Sequence, residues 1–361
     1  MRSKSLTWLF VLMLGTSGCG NFVARRMVQA PNSYPSWLAP VPRVQLAFAD
    51  KFITNFTAQY LNVGPPTARL RYRVVEPADY QCESSSTNWL RRGRPNYRFS
   101  FRAVVPGKPN EWTNSPRGTV VLLHGYGVGE FAMSPWALRL AQEGWRCVLL
   151  DLRGHGKSTG RRIFFGLQET HDLSQLLDQL GRDRKLAFPV HAIGESYGAA
   201  IALRWKATDP RVSSVVAMAP YAHLSNAVVN ISHDYAGWLP RGLLNAGLKQ
   251  LPSLLGIERS ELDPVAVLAR HSEIVLFVAG TKDEIAPVAD VRELHDAAAI
   301  GSQLIVVPNA THEALPYFFD ELTVPVLSWL REGKLSATTR PDRTTGSVTG
   351  RASLEFRTRT E

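Results

Sequence analysis

The pentapeptide Gly194-Glu195-Ser196-Tyr197-Gly198 decides the fold of this chain, because it joins a strand-like run to a helix-like run. Pro189 to Ile193 precedes it, and Ala199 to Ala207 follows it with the composition of a helix. A serine on so sharp a turn has a strained backbone, and the glycines two positions to either side avoid collisions with the neighbouring strand and helix. The pattern therefore predicts that Ser196 projects from the turn as a nucleophile.

A nucleophilic serine needs a base within hydrogen-bond reach and a third group that orients the base. The apolar run Ile274 to Ala279 predicts a strand that ends just before Asp283, and the run Gln303 to Pro308 predicts another that leads to His312. Both loops should open at the same edge of a parallel sheet, where ligands bind. The chain order serine, acid, histidine predicts the triad Ser196, Asp283 and His312.

Other acids and histidines are less suited to these positions. Glu284 would point away from its neighbour Asp283, and Asp290 falls one turn inside a helix. His271 and His295 have helical surroundings, and His191 precedes the elbow on a strand. None of these three histidines should reach a serine at the end of a strand.

A loop for stabilising an oxyanion follows the buried strand predicted at Thr119 to Leu123. It reads His124-Gly125-Tyr126-Gly127, and its glycines let the backbone turn its N–H groups toward the site. We expect one hydrogen bond from the N–H of Tyr126 and another from the N–H of Tyr197, directly after the nucleophile. His124 precedes the donors and is expected to hold the loop rather than act as a base.

These segments, together with Asp151-Leu152-Arg153-Gly154-His155-Gly156-Lys157-Ser158, resemble the α/β-hydrolase superfamily. The latter segment and the Gly-Glu-Ser-x-Gly elbow most resemble its monoacylglycerol lipase and lysophospholipase-like branch, also described as serine aminopeptidase-like (S33-type). The resemblance covers roughly residues 97 to 332. It implies an α/β fold with a mostly parallel sheet, helices on both faces, a small helical cap, and hydrolysis without a cofactor. Ser196 also argues against the haloalkane dehalogenase and epoxide hydrolase relatives, because the resemblance implies an aspartate at the elbow in those branches.

The organisation along the chain agrees with one hydrolase domain at residues 97–332, in which strands and helices alternate from a first strand at Tyr97 to Val105 and imply one parallel sheet. Before it lies an extension, residues 19–96, where Val44 to Leu61 has helical spacing and Leu70 to Val75 alternates like a strand. This extension could extend the sheet or brace the fold. Residues 333–361 contain few apolar groups and are predicted to be disordered.

A cap insertion is expected at about residues 221–263, where leucines are interrupted by glycines and prolines. Short apolar helices separated by such breakers fit a mobile lid that admits an acyl chain. The same leucines could simply pack the cap onto the core, and the two interpretations are compatible.

The N-terminus reads as a secretory signal peptide over residues 1–18, with Arg2 and Lys4 before the apolar run Leu6 to Leu14. Small residues then lead to Cys19, the expected lipidation site of a lipoprotein. Thr16 stands where such signals usually carry an aliphatic residue, so ordinary secretion is the alternative. Lipidation would imply a membrane partner and an outer-membrane location facing the periplasm.

The formal net charge of +10 suits attraction to anionic lipid surfaces or simply solubility. No nucleic-acid-binding motif accompanies the charge, so nucleic acid is not expected as a partner. No Cys/His cluster has metal-ligand spacing. Cys82 and Cys147 are expected to stay unpaired, since Cys147 falls within a predicted core strand.

Together these features predict a serine hydrolase that cleaves carboxylic esters of monoacylglycerols or lysophospholipid-like lipids through an acyl-enzyme. An aminopeptidase would use the same triad but needs acids near the cap, for which Asp234, Glu258, Glu261 and Asp263 are available. Acyl transfer to another alcohol remains open. A non-catalytic envelope lipoprotein is a further alternative, although such a protein commonly loses a triad member.

Overall fold

A computed structural model describes residues 17–33, 44–46, 52–91, 94–235, 240–335 and 355–358. Six parallel strands form its centre, and their near-continuous apolar sequences reflect burial under helices on both faces. They are β6 (Thr119–Leu123), β7 (Arg146–Asp151), β8 (Val190–Glu195), β9 (Val212–Met218), β10 (Val275–Gly280) and β11 (Gln303–Val307). The predicted α/β fold with a mostly parallel sheet is confirmed.

Antiparallel strands complete both edges of this sheet. β2 (Gln59–Val63) pairs with β3 (Ala68–Val75), which pairs with β7, and β12 (Glu355–Thr358) pairs with β11. The order among the described strands is β12-β11-β10-β9-β8-β6-β7-β3-β2. The sheet therefore begins before residue 97, the predicted start of the hydrolase domain, and it receives one strand from the segment predicted to be disordered.

Helices cover the two faces and enclose separate apolar clusters. Their bounds are α1 (Ser17–Met27), α2 (Ser134–Gln142), α3 (Leu167–Arg182), α4 (Tyr197–Thr208), α5 (Leu224–Tyr235), α6 (Arg241–Leu255), α7 (Pro264–His271), α8 (Val288–Ala297) and α9 (Phe319–Glu332). Short 3₁₀-helices lie at Pro31–Ser33, Ile53–Asn55, Glu130–Met133, Arg259–Leu262 and Leu315–Tyr317.

A second, small sheet corrects two expectations for the N-terminal half. It has the order β1 (Val44–Leu46), β5 (Arg94–Arg102), β4 (Glu83–Arg91), so the strand predicted at Tyr97 to Val105 does not join the main sheet. The helix predicted over Val44 to Leu61 is also wrong in its described parts, which are β1, a 3₁₀-helix and the start of β2. Phe52 and Phe56 have helical spacing, but their rings make tertiary contacts instead. The Phe52 ring meets Phe101 edge-on at a centroid distance of 5.7 Å, and the Phe56 ring meets Tyr80 edge-on at 6.1 Å.

The insertion between β9 and α7 holds α5, α6 and the 3₁₀-helix Arg259–Leu262, within the predicted cap range of 221–263. Helix α1 packs against α6 of this cap. Gly247 allows the close approach, because a Cβ built there would lie 2.5 Å from Cγ1 of Val23. Val23 and Ala24 are buried by this packing. Residues 19–96 thus do both things left open by the sequence: part extends the sheet and part braces the cap.

Of the predicted signal peptide at residues 1–18, residues 1–16 lie outside the described residues, while Ser17, Gly18 and the following Cys19 belong to α1. Of the predicted tail, residues 336–354 and 359–361 also lie outside them. Among the helices that the structure describes, none is long and apolar enough to cross a bilayer. Cys82 and Cys147 are free thiols.

Candidate active site

The elbow places Ser196 between β8 and α4 with a φ of +51° and a ψ of −111°, in the left-handed half of the map that L-residues avoid. Its N–H donates to the carbonyl of Met218 at 2.8 Å, which fixes the turn to the next strand. A Cβ at Gly194 would lie 2.3 Å from the carbonyl oxygen of Gly198, and one at Gly198 would lie 2.4 Å from that of Leu123. Backbone contacts on both sides therefore exclude any side chain at these two positions.

The structure brings the three predicted triad residues into one hydrogen-bonded chain. Nε2 of His312 lies 2.8 Å from Oγ of Ser196, and Nδ1 of His312 lies 2.8 Å from Oδ2 of Asp283. All three side chains are buried, with Ser196 8% and His312 9% exposed. The paired registers of β10 and β11 bring the acid loop and the histidine loop together, because Gly280 lies opposite Val307.

Asp283 is held in place by the loop that follows it. Its Oδ1 accepts hydrogen bonds from the N–H groups of Ile285 at 2.9 Å and Ala286 at 2.7 Å, which leaves Oδ2 for the histidine. Burial disfavours a charged imidazole, but the charge and hydrogen bond of Asp283, with Glu313 and Glu195 nearby, outweigh burial and raise the pKa of His312. The site thus favours a histidine that takes up a proton.

The competing residues lie elsewhere. Glu284 is exposed, and Asp290 lies in the first turn of α8. Nε2 of His295 contacts the carbonyl of Ser302, and Nδ1 of His191 contacts the hydroxyl of Ser214. His271 ends α7 on the surface.

The two predicted oxyanion donors occupy adjoining turns. β6 and β8 are paired so that Leu123 lies opposite Gly194, and the loop after β6 therefore emerges beside the elbow. Tyr197 is the first residue of α4, where a backbone N–H has no partner within the helix. The rings of Tyr126 and Tyr197 meet edge-on with centroids 6.1 Å apart. The residues of both predicted donors therefore lie beside Ser196.

His124 holds the loop and does not approach the triad. Its Nδ1 faces the carbonyl of Gly125 at 2.8 Å, and its Nε2 accepts from the N–H of Leu152 at 3.0 Å. Burial lowers the pKa of His124 to about 4, so it stays neutral and bridges two loops. This agrees with the positioning role expected from its place before the donors.

Sequence reasoning missed a buried ion pair that supports the elbow from behind. The guanidinium of Arg153 binds Asp172 through two hydrogen bonds of 2.7 Å, with both side chains buried. Glu169 on the same helix accepts from the hydroxyl of Tyr197 at 3.1 Å and from the N–H groups of Phe164 and Gly166. The available sequence signal was Arg153 in the Asp-x-Arg-Gly-His-Gly segment, because a buried arginine needs an acidic partner.

Glu195 was also not singled out from the sequence. Its carboxyl group lies 3.5 Å from the position that a Cβ on Gly125 would occupy, between the oxyanion loop and the elbow. Burial is the main cause that raises the pKa of Glu195 to about 7, with His312 acting in the opposite direction. The only sequence signal for Glu195 was its position directly before Ser196.

The cap reaches the acid loop, since Nδ2 of Asn230 on α5 donates to the carbonyl of Ile285 at 3.0 Å. The acids considered for binding an ammonium group are used for local structure. Asp263 accepts from the N–H of Leu224, Glu261 accepts from the N–H of Glu258, and Glu258 is exposed. The side chain of Asp234 lies outside the described residues.

Among the described residues, no group of three or more His, Cys, Asp or Glu side chains is arranged to hold a metal ion. The groups that meet at this site are the hydroxyl of Ser196, the imidazole of His312 and the carboxylate of Asp283.

A protein-family model, Hydrolase_4, described as serine aminopeptidase, S33, matches residues 114–261. This segment includes the oxyanion loop, the elbow and most of the cap. Asp283 and His312 follow its end.

Two relatives share part of the sequence. An uncharacterized protein of Bacillus subtilis, YqkD, is 22% identical over 54% of this chain, and the match spans 64% of that protein's length. A monoacylglycerol lipase of Mycolicibacterium smegmatis is 27% identical, with 61% of this chain and 90% of the lipase covered.

Solved structures share the fold. The esterase Pf2001 of Pyrococcus furiosus superposes with a TM-score of 0.56 at 20% identity, covering 80% of this chain and 96% of the esterase. Est1E of Butyrivibrio proteoclasticus, solved with ferulic acid bound, gives a TM-score of 0.52 at 13% identity, covering 75% and 98% of the two chains.

Proposed function

Because this chain belongs to the α/β-hydrolase superfamily, we propose that it is a serine esterase that cleaves acyl esters of lipids, of the monoacylglycerol or lysophospholipid kind. The observation that carries the proposal is the continuous hydrogen-bonded chain from Ser196 through His312 to Asp283, with 2.8 Å at each step. This chain meets the requirements of an activated serine nucleophile.

In the proposed reaction, Oγ of Ser196 attacks the ester carbonyl while Nε2 of His312 takes its proton. The oxyanion accepts hydrogen bonds from the N–H groups of Tyr126 and Tyr197. His312 then returns the proton to the departing alcohol, and the acyl group stays on Ser196. A water molecule activated by His312 releases the acid and restores the serine. Asp283 orients the ring and stabilises its charged form in both halves.

The proposed lipid substrate is supported by the cap and by one relative. The cap helix α5 reaches the acid loop through Asn230, and Ser196 and His312 next to that loop are largely closed to solvent. Such a cover suits an acyl chain, which gains from leaving water. A relative at 27% identity is a monoacylglycerol lipase.

A second candidate is an aminopeptidase, which the description of the matching family model favours. The same triad would then attack a peptide carbonyl. Against it, Glu261 and Asp263 are occupied by backbone N–H groups, which leaves fewer carboxylates for a substrate ammonium group.

A lipid anchor at Cys19 and an outer-membrane location facing the periplasm form a separate proposal. It is supported by the charged, apolar and small-residue order of the N-terminus. Mass spectrometry of the purified membrane-fraction protein would test it: an N-terminal acylated Cys19 is expected, and an unmodified Cys19 would contradict it.

The function is tested with the purified protein and p-nitrophenyl esters from acetate to palmitate, beside a monoacylglycerol, a lysophospholipid and an aminoacyl anilide. We expect ester turnover with a preference for longer chains, abolished in Ser196→Ala. Anilide turnover without ester turnover would instead assign a peptidase. Folded protein that is silent on all of them would overturn the hydrolase assignment.

A further inference from the structure

Positive charge is concentrated on three segments of the chain. Residues 17–33, 59–75 and 152–168 contain nine arginines and lysines and no aspartate or glutamate. Three of these cations form ion pairs within the fold, namely Arg71, Arg73 and Arg153. The other six side chains are exposed, namely Arg25, Arg26, Arg69, Lys157, Arg161 and Arg162. We call these six residues the basic edge.

Backbone hydrogen bonds join the three segments to one another. The N–H of Ala30 donates to the carbonyl of Arg161 at 3.2 Å, and the N–H of Thr159 donates to the carbonyl of Arg69 at 2.9 Å. The segment after β7 therefore lies between the end of α1 and the start of β3. The basic edge is one strip of adjoining segments and not a set of scattered charges.

This strip lies at the same end of the main sheet as the elbow. Residues 152–168 follow β7 at its carboxyl end, and Arg71 of the antiparallel β3 lies opposite Asp151, the last residue of β7. Helix α1 packs on α6 of the cap. Ser196 follows the carboxyl end of β8. The basic edge and the nucleophile therefore share the carboxyl edge of the sheet.

Cations at the opposite end of the sheet are paired with acids. Lys206 lies 2.9 Å from Glu273, which precedes β10, and Arg331 lies 2.6 Å from Glu143, which precedes β7. The net charge of +10 is therefore unevenly distributed between the two ends. An anionic surface would be attracted most strongly to the basic edge.

Two exposed aromatic rings accompany these cations. Phe22 is 60% exposed and Tyr60 is 49% exposed. The guanidinium of Arg26 lies 5.3 Å from the centroid of the Phe22 ring, and that of Arg69 lies 4.6 Å from the centroid of the Tyr60 ring. Aromatic rings and long cationic side chains both suit the boundary between lipid headgroups and acyl chains.

The order of the sequence favours a lipid partner over a nucleic acid. The apolar run Leu6 to Leu14 ends shortly before α1, the helix that carries Phe22 and Arg25. A lipid surface can accept apolar and cationic groups side by side, whereas a nucleic acid offers nothing to an aliphatic run of this kind.

We propose that the basic edge docks the protein onto an anionic lipid surface, with Phe22 and Tyr60 entering the headgroup layer. Each cation close to such a surface adds to the attraction. Docking in this orientation brings the carboxyl edge of the sheet, and with it Ser196, toward the lipid. The benefit for catalysis rests on the proposed function, but the binding itself does not, and it needs no lipid on Cys19.

Vesicle sedimentation tests the binding with the full chain carrying Ser196→Ala and Cys19→Ser, which removes turnover and the anchor site. Vesicles of phosphatidylcholine alone are compared with vesicles that also contain about 30% phosphatidylglycerol. The run at residues 6–14 is present in every sample, so the ratio of the two partition coefficients reports the part of binding that depends on charge. We expect a ratio of about 30 or more in about 0.1 M NaCl, decreasing strongly in about 0.5 M NaCl.

Two triple variants with the same change in net charge locate the docking surface. The first removes three arginines of the basic edge: Arg25→Gln, Arg161→Gln and Arg162→Gln. The matched control removes three exposed arginines at or just after the ends of α3 and α7, at the amino edge of the sheet: Arg182→Gln, Arg184→Gln and Arg270→Gln. The first variant should lower the ratio by about tenfold or more, and the control by less than about twofold.

A second pair of variants tests the aromatic contribution. Phe22→Ala should weaken binding to the anionic vesicles by about threefold or more. Its matched control is Phe188→Ala, because Phe188 is 62% exposed but precedes β8 at the amino edge. This control should bind as the parent protein does. Thermal unfolding verifies that each variant is folded.

A partition ratio near one for the parent protein would overturn the proposal, as would equal losses in the two triple variants. Tighter binding of a single-stranded DNA oligonucleotide than of the anionic vesicles would also overturn it, because the basic edge would then be a nucleic-acid surface. Anionic vesicle binding that is lost only in the basic-edge and Phe22→Ala variants would support it. That result would stand even if the wild-type protein hydrolysed no ester, so the two proposals can fail separately.

Discussion

Glycines allow a close approach both at the elbow and where α1 packs on the cap helix α6. The two regions differ in the kind of atom that these glycines face. At Gly194 and Gly198 an added Cβ would meet backbone carbonyl groups at 2.3 and 2.4 Å. At Gly247 it would meet the side chain of Val23 at 2.5 Å. The carbonyl groups of Gly198 and Leu123 are fixed in the backbone of α4 and β6, whereas the Val23 side chain and its helix can shift. The reacting atoms are therefore held by the less yielding contact, and the cap by the more yielding one.

The largest expected effect is on the chemistry at the elbow. Ser196→Ala should lower kcat/KM for any ester substrate by about 10³-fold or more, because the nucleophile is removed while the fold is kept. Ser253→Ala on the exposed side of α6 is the matched control and should leave turnover within twofold of the wild-type rate, about 0.4 kcal/mol. Retained turnover in Ser196→Ala, measured with unchanged thermal unfolding, would remove the triad assignment.

The next largest effect is on stability, when one methyl group is added to a glycine of the elbow or to a glycine of the cap. Gly198→Ala should lower the free energy of unfolding by about 3 kcal/mol or more, since the methyl group collides with the carbonyl of Leu123. Gly242→Ala, in the first turn of α6, should instead raise it by about 0.5 kcal/mol, because an added Cβ meets nothing within 4 Å. Denaturant unfolding measures the change in unfolding free energy for both variants. Equal changes would contradict the proposed difference between the elbow and the cap.

The pH dependence of the unfolding free energy should also be larger at the elbow than in the cap. Glu195 has its pKa raised to about 7, so the folded state holds a proton that the unfolded state releases near pH 4.5. Its stabilising contribution is present below that lower pH and is lost as the pH rises through about 7. Relative to Glu195→Gln, the wild-type protein should lose about 3 kcal/mol of unfolding free energy over this range.

Chemical denaturation at pH 4.5, 6 and 8 measures that difference. A cap residue gives the comparison, because His223 is partly exposed and its raised pKa depends on surface contacts with Glu293 and Asp263, after the lowering effect of burial. His223→Gln should change the pH dependence much less. A parallel curve for wild type and Glu195→Gln would contradict the prediction.

The same carboxyl group should influence turnover. The raised pKa of His312 places the acid limb of kcat/KM above the ordinary histidine value of 6.5, because the reaction needs a neutral imidazole at the start. Glu195 ionises only as the pH rises through about 7, so Glu195→Gln should move that limb to slightly lower pH by removing the partial charge present there. An unchanged limb, with turnover otherwise preserved, would mean that Glu195 does not act on His312.

The smallest effect is expected at the contact between α1 and the cap. Gly247→Ala should lower the free energy of unfolding by about 1 kcal/mol, because α1 can shift to relieve the collision with Val23. Val23→Ala should remove most of that loss in a double-mutant cycle. Additive effects of the two changes, measured by denaturant unfolding, would show that the two side chains do not meet.

The difference between the two regions also explains what could be predicted from the sequence. The elbow, the two strand-end loops and their order are local patterns, and each fixes a residue at the carboxyl edge of a parallel sheet. Ser196, Asp283 and His312 could therefore be brought together without a structure. The helix after the elbow could be predicted from its composition, because Ala199 to Ala207 is rich in strong helix formers.

Contacts between distant parts of the chain could not be predicted in this way. Arg71 and Glu130 belong to β3 and to the turn after the oxyanion loop, and nothing in either local sequence indicates that they pair. The strand at Tyr97 was assigned to the wrong sheet because strand patterns do not name their partner. The apolar spacing at Phe52 and Phe56 suggested a helix, but aromatic contacts to Phe101 and Tyr80 decided the local structure.

The packing of α1 on α6 also bears on how the protein must be produced. Val23 and Met27 cover Gly247, and Ala24 shares a buried cluster with Leu248 and Leu251. A chain shortened to begin after α1, with β2 and β3 kept, would uncover this leucine-rich surface while leaving the triad and the main sheet in place. Exposed apolar surface of this kind promotes self-association. Such a shortened protein is expected to fold, to react in dilute solution, and to aggregate when concentrated.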